Sequence, residues 1–114
     1  METTRQQKIS KLIQKDLGEI FQREIAGLTG SYMLVTVTKV YVTKDLSIAK
    51  VYLSIFGVQD KEKAFELIKA SAKPIRGMLA QRVRHQLRVI PELKFYLDDS
   101  LDYIEHIDEL LKND

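Results

Sequence analysis

Between Leu34 and Phe56 the apolar side chains fall on alternate residues twice in succession, and no other feature of the chain constrains its fold as much. A strand patterned this way has one apolar and one polar face, so it belongs in a sheet that is covered on one side. The first run, Leu34 to Val42, is rich in Val, Thr and Tyr. Its alternation slips near Thr38-Lys39, from Val35 and Val37 to Val40 and Val42, which predicts a β-bulge. Thr43-Lys44-Asp45-Leu46 reads as a turn. In the second run, Ile48 to Phe56, Ala49, Val51, Leu53 and Ile55 face one way while Lys50, Tyr52 and Ser54 face the other. So short a connection predicts an antiparallel pair.

The apolar face needs a cover, and helical stretches on both sides supply it. Thr3-x-x-Gln6 and Thr4-x-x-Gln7 both read as capping boxes. Ile9, Leu12, Ile13, Leu17, Ile20, Phe21 and Ile25 then follow a helical period, and Gly27 and Gly30 stop the helix. Its outer side carries Lys8, Lys11 and Lys15 in a row. After the hairpin, Gly57 ends the strand and Asp60 caps a helix with Ala64, Phe65, Ile68 and Ala72 on its apolar side. Pro74 interrupts that helix. It cannot donate a backbone hydrogen bond, disfavours α geometry at Lys73, and suits the first position of a new helix. The expectation is helix, kink, helix, with the kink over Ser71, Ala72, Lys73 and Pro74. Ile75, Met78, Leu79 and Val83 form the buried face of the second piece. Lys73, Arg76 and Arg84 fall on the opposite side, and Arg82 snorkels along the core edge. Pro91 opens a third strand, Leu93 to Leu97, and Asp99 or Ser100 caps a last helix bearing Leu101, Ile104, Ile107 and Leu111.

The expected fold is therefore α+β, a small sheet with helices on one face, in the order α-β-β-α-kink-α-β plus a C-terminal helix. Residues 1–98 make the domain, and residues 99–114 make an acidic C-terminal helix or tail.

Charge is unevenly placed although the net formal charge is only +2. Lys69, Lys73, Arg76, Arg82, Arg84, Arg88 and Lys94 face a single acid, Glu92, within their stretch. From Asp98 onward the balance reverses, with Lys112 the only base. An anionic partner for the basic stretches fits this asymmetry, although solvated faces explain charge alone more simply.

Candidate chemistry is sparse. There is no cysteine, which excludes disulfides and thiolate–metal sites. His85 and His106 lack partners at metal-ligand spacing. Asp98-Asp99 suits a helix cap better than acid–base work. No nucleophile elbow, Walker loop or dinucleotide fingerprint occurs, so no enzyme activity, cofactor, metal or small-molecule substrate is expected. No apolar run reaches the ~18 residues of a membrane span, and Met1 to Gln7 lacks an apolar signal core, so a soluble, cytoplasmic protein is expected. Gly27-Leu28-Thr29-Gly30 matches the G-x-x-G loop that clamps nucleic acid in KH domains. It lies between a helix and a strand rather than between two helices, which makes it a helix stop. Tyr32, Tyr41, Tyr52 and Tyr96 offer stacking surfaces, with ordinary sheet packing the plainer reading.

Three segments together carry a resemblance: Thr43 to Ser54 (TKDLSIAKVYLS), Ser71-Ala72-Lys73-Pro74-Ile75-Arg76 with Gln81-Arg82-Val83-Arg84, and Leu87-Arg88-Val89-Ile90-Pro91-Glu92-Leu93-Lys94-Phe95 running on through Asp98 and Ser100-Leu101. In this order and spacing they resemble the ribosome-binding factor A family. The resemblance implies a type II KH-like fold in which helix–kink–helix replaces the G-x-x-G loop. It implies a monomer that binds free or immature 30S small subunits and assists late maturation of 16S rRNA, including its 5′ helix region, and that supports growth in the cold. Where the family usually has Ala-x-Gly at the kink, this chain has Ser71-Ala72-Lys73 followed by Pro74, and His85-Gln86 reads as a short insertion. The expected RNA contacts are Lys73, Arg76, Arg82, Arg84 and Arg88, with Lys8, Lys11 and Lys15 as a further basic row. The alternatives are a KH-like RNA- or DNA-binding module without a ribosomal role, a protein-only interaction module, and an acylphosphatase-like hydrolase. The last lacks a well-placed asparagine, since the only one is Asn113.

Overall fold

Thr3 starts the first helix as the pattern requires. In the computed structural model, which describes residues 3–98, its hydroxyl accepts from the Gln6 amide while the Gln6 side chain accepts from the Thr3 amide. Of the two overlapping boxes this one forms, and Thr4 becomes the first residue of helix α1, Thr4–Thr29. The helix runs through Gly27 and closes at Gly30, whose φ of 74° is left-handed and whose N–H donates to the Ala26 carbonyl at 2.8 Å. One interior glycine costs about 1 kcal/mol, too little to stop a helix whose buried face continues to Ile25.

Strands β1 (Leu34–Val42) and β2 (Ile48–Phe56) pair antiparallel, and β3 (Glu92–Leu97) joins β2 in parallel, giving a mixed sheet ordered β1-β2-β3. The register shifts between Val37 and Lys39, where the slip predicts a bulge. Thr38 is the extra residue, and its hydroxyl donates to the Asp98 carboxylate, with the Tyr52 carbonyl 3.2 Å from the same oxygen. The bulge lets Val35, Val37, Val40 and Val42 all reach the core. Asp98 thus accepts a hydrogen bond across the sheet.

Helices α2 (Lys61–Ala70) and α3 (Ala72–Val83) complete the described elements. Asp60 caps α2 by accepting from the Lys63 amide at 3.1 Å. The break between α2 and α3 falls at Ser71 (φ −95°, ψ 12°). This corrects the expectation that Pro74 opens the second helix with Lys73 outside it: Lys73 and Pro74 are the second and third residues of α3. The cause is the reach of the missing hydrogen bond. A proline removes the bond to the carbonyl four residues back and its ring collides there, so the chain yields near Ala70, not at the proline. Ser71 then hands over between the helices, its N–H donating to the Ile68 carbonyl and its carbonyl accepting from Ile75.

The three described helices lie on one face of the sheet. Ile13, Leu17 and Phe21 from α1, Ile68 from α2, and Ile75, Leu79 and Val83 from α3 are buried against Val42, Val51, Leu53 and Ile55. The Phe21 ring meets Phe95 edge-on, with centroids 6.2 Å apart. No helix among the described residues is long and apolar enough to cross a membrane. The C-terminal helix expected over 99–114 lies outside the described residues.

Candidate nucleic-acid interface

The basic side chains come from three stretches that the fold arranges around its helical side. The first is the outer row of α1. Lys8, Lys11 and Lys15 are exposed and make no ion pair with described residues. The N-terminal end of α1 also borders a groove of about 890 Å³, lined by Arg5, Lys8 and Ile9, by Asp45, Leu46 and Ser47 of the hairpin turn, and by Gln86 to Val89 and Pro91. Lys8 and Arg88, eighty residues apart in sequence, therefore share one groove, with Arg5 beside them. Arg5 is not among the contacts expected from the sequence, although its position three residues before Lys8 on a capped helix puts it on the same face.

The groove also holds one fixed anion. The Asp45 carboxylate accepts from the Ser47 hydroxyl at 2.7 Å, the Thr43 hydroxyl at 2.8 Å and the Ser47 amide at 3.1 Å. These bonds, the Ser47 hydroxyl foremost, hold its pKa below the ordinary aspartate value, so it stays charged. Leu46 takes a left-handed φ of 63° to close this turn.

The second stretch is the outer face of α3. Lys73 and Arg84 are exposed, without ion pairs to described residues. Arg76, expected beside them as a phosphate ligand, donates from Nε to the Pro91 carbonyl at 3.2 Å and from Nη2 to the Ile90 carbonyl at 2.6 Å. It holds the α3–β3 connection down and keeps other guanidinium donors toward solvent. Arg82 does not point outward as a free cation. It pairs with Asp16 at 3.0 Å and with Glu19, bridging α3 to α1. Arg84 ends α3, and Arg88 lies in the connection that follows.

The third stretch adjoins the break at Ser71. A shallow depression of about 290 Å³ lies there, bordered by Lys69, Ala72 and the β3 residues Leu93 to Tyr96. Lys69 is partly occupied by Glu66 at 3.0 Å. Of the tyrosines, Tyr41, Tyr52 and Tyr96 lie on the sheet face away from the helices, and Tyr32 is exposed between α1 and β1. His85 is exposed, and His106 falls outside the described residues. Among the described residues no three carboxylates or histidines gather where a metal would sit.

Among the described residues the chain is a one-sided α+β domain with exposed cations beside a helix break. The family model for ribosome-binding factor A matches residues 5–111. The chain belongs to the ribosome-binding factor A family, and its role is non-enzymatic. It is 51% identical over 111 residues to ribosome-binding factor A of Flavobacterium johnsoniae, spanning 97% of this chain and 85% of that one. The crystal structure of ribosome-binding factor A from Thermus thermophilus superposes with a TM-score of 0.65 at 25% identity, covering 81% of this chain and 94% of the other. A homology model of the Thermus thermophilus factor, fitted into a cryo-EM map of its complex with the 30S subunit, gives a TM-score of 0.63 at 28% identity, covering 79% and 91%.

Proposed function

We propose that this protein is a type II KH-like assembly factor that binds free or immature 30S subunits and assists late maturation of 16S rRNA, including its 5′ helix region. The observation that carries the rRNA part is the set of exposed cations without ion pairs to described residues on the helical side: Lys73 on α3, Arg84 at its C-cap, Arg88 beyond it, and Lys8, Lys11 and Lys15 on α1. Guanidinium and ammonium groups held on a rigid helical frame suit phosphate oxygens, and their exposure means no internal partner must be displaced on binding. The fitted Thermus thermophilus complex supports the choice of the small subunit. In this reading the protein acts as a monomer in the cytoplasm and supports growth at low temperature.

Gradient fractionation of a lysate, followed by crosslinking to rRNA, tests the proposal. The protein is expected in the free small-subunit fractions and not with translating ribosomes, crosslinked through the residues named above. Distribution across the gradient without any subunit peak would favour a KH-like nucleic-acid-binding module with no ribosomal role. Binding to subunits that survives nuclease treatment would favour a protein-only contact.

A further inference from the structure

The sheet face turned away from the helices has a chemistry of its own. The ladders set Lys39, Tyr52 and Tyr96 in one row across the three strands, and Tyr41, Lys50 and Lys94 in the next. Between these rows Val40, Val51 and Phe95 point into the core, so the two rows share the outer face. The rings of Tyr52 and Tyr96 stack, with centroids 5.4 Å apart and planes at 26°. Lys50 Nζ stands 6.0 Å over the Tyr41 ring. Tyr96 is 39% exposed, and Lys39 and Lys94 are exposed beside the pair. None of the described helices crosses this face. Its acids stand at its margins: Glu92 begins β3, and Asp98 accepts from Thr38.

We propose that this open face is a second RNA-contacting surface, specific for single strands, on which unpaired bases stack against the Tyr52–Tyr96 pair while Lys39, Lys50 and Lys94 hold the backbone phosphates. The proposal rests on the RNA-binding role argued above and assigns a distinct surface to it. Stacked tyrosines on a sheet between two layers are ordinary core packing, whereas here the stack lies toward solvent with Lys39 in its own row and Lys50 and Lys94 in the next. Rows two residues apart lie roughly 6.6 Å from one another along the strands, so a nucleotide on the tyrosine row is within reach of lysines in both rows. Base–aromatic stacking tolerates any sequence, since every base has a π-face. A duplex keeps its bases paired and stacked internally, so it reaches only the lysines.

The full chain is titrated with a labelled oligoadenylate of about ten nucleotides and with an RNA duplex of similar length. The double variant Tyr52→Leu/Tyr96→Leu is expected to lose about tenfold or more in affinity for the single strand while holding the duplex within about twofold. Lys39→Gln/Lys94→Gln is expected to weaken single-strand binding and flatten its salt dependence. It serves with Tyr96→Leu alone if the tyrosine double variant does not fold. Unchanged single-strand affinity in these variants, or equal losses on strand and duplex in the tyrosine variants, overturns the proposal. So does a wild-type dimer in sedimentation that the tyrosine variant dissociates, because a second copy would then be the occupant. Co-sedimentation with small subunits is followed in parallel. If wild type fails to sediment with subunits yet binds oligoadenylate through the tyrosines, the ribosomal role falls and this surface stands. If it sediments but the tyrosine variants bind oligoadenylate as wild type does, this surface alone falls.

Discussion

Arg82 on α3 meets Asp16 on α1 at 3.0 Å and also reaches Glu19, one turn further along α1. The pair spans 66 residues of sequence and ties the two helices together. An arginine held by two carboxylates has little left for a phosphate. Arg82→Ala is therefore expected to change rRNA affinity by less than about threefold while lowering stability by about 0.5–1 kcal/mol, the scale of a partly exposed ion pair. Urea unfolding and subunit binding, measured on the same preparation, check both halves. A tenfold loss of affinity in a stable Arg82→Ala protein would return Arg82 to the RNA interface.

Lys8, Arg84 and Arg88 make no such internal pairs with described residues. If about four to six phosphates are engaged, log K should fall against log salt with a slope of roughly −3 to −5. Replacing the three with Gln is expected to weaken subunit binding and make that slope shallower by roughly 2. The fold should persist, since all three are exposed. An unchanged slope would move the contact to Lys11, Lys15 and Lys73.

Pro74 and Ser71 divide the work of the bend. Proline removes the hydrogen bond that would join α2 to α3, and Ser71, itself buried, takes the non-helical backbone angles and donates its hydroxyl to the Leu67 carbonyl at 3.0 Å. Pro74→Ala restores the N–H and loosens the unfolded chain, so a loss of about 0.4–1 kcal/mol is expected. Any straightening would draw the fully buried Ile75 out of the core and turn Lys73 away, lowering rRNA affinity as well. Residual dipolar couplings across α2 and α3 report the angle directly. A wild-type angle together with wild-type affinity would show that packing of Ile68, Ser71 and Ile75 sets the bend without the proline.

Asp45 makes the hairpin turn sensitive to acid. Its pKa is lowered in the folded chain by the Ser47 and Thr43 hydroxyls and the Ser47 amide. A carboxylate with a lowered folded pKa contributes stability that is complete above its unfolded pKa and is lost as pH falls through the folded value. Asp45→Asn is therefore expected to be less stable than wild type at neutral pH, with the difference disappearing below the ordinary aspartate range. Thermal unfolding of both proteins across that range is the measurement. Parallel curves at every pH would mean the turn does not depend on the charge.

Much of this architecture was legible in the chain because it is local. A strand's alternation, a slip at Thr38, a capping box at Thr3 and an N-cap at Asp60 each depend on residues a few positions apart, and β1 and β2 occupy the spans their patterns mark. The break between α2 and α3 falls at Ser71, inside the expected kink of Ser71 to Pro74 but ahead of the proline, because proline's effect falls on the turn before it. Three segments in register pointed to the family as well, since they lie along the chain in an order that needs no coordinates.

Within residues 3–98, short-range pattern marked the elements, the face each one buries and the candidate cations. Which of those cations stay unpaired among the described residues followed from the folding of distant segments together. Arg76 is drawn to the Ile90 and Pro91 carbonyls, Arg82 is consumed by Asp16 and Glu19, and Lys8 is brought to the same groove as Arg88. The same folding also set Tyr52 against Tyr96 by pairing β3 parallel to β2. The reason is that burial follows from a short-range period, whereas the state of a charge or a ring depends on distances between groups far apart in the chain, and those exist only once the helices have closed over the sheet.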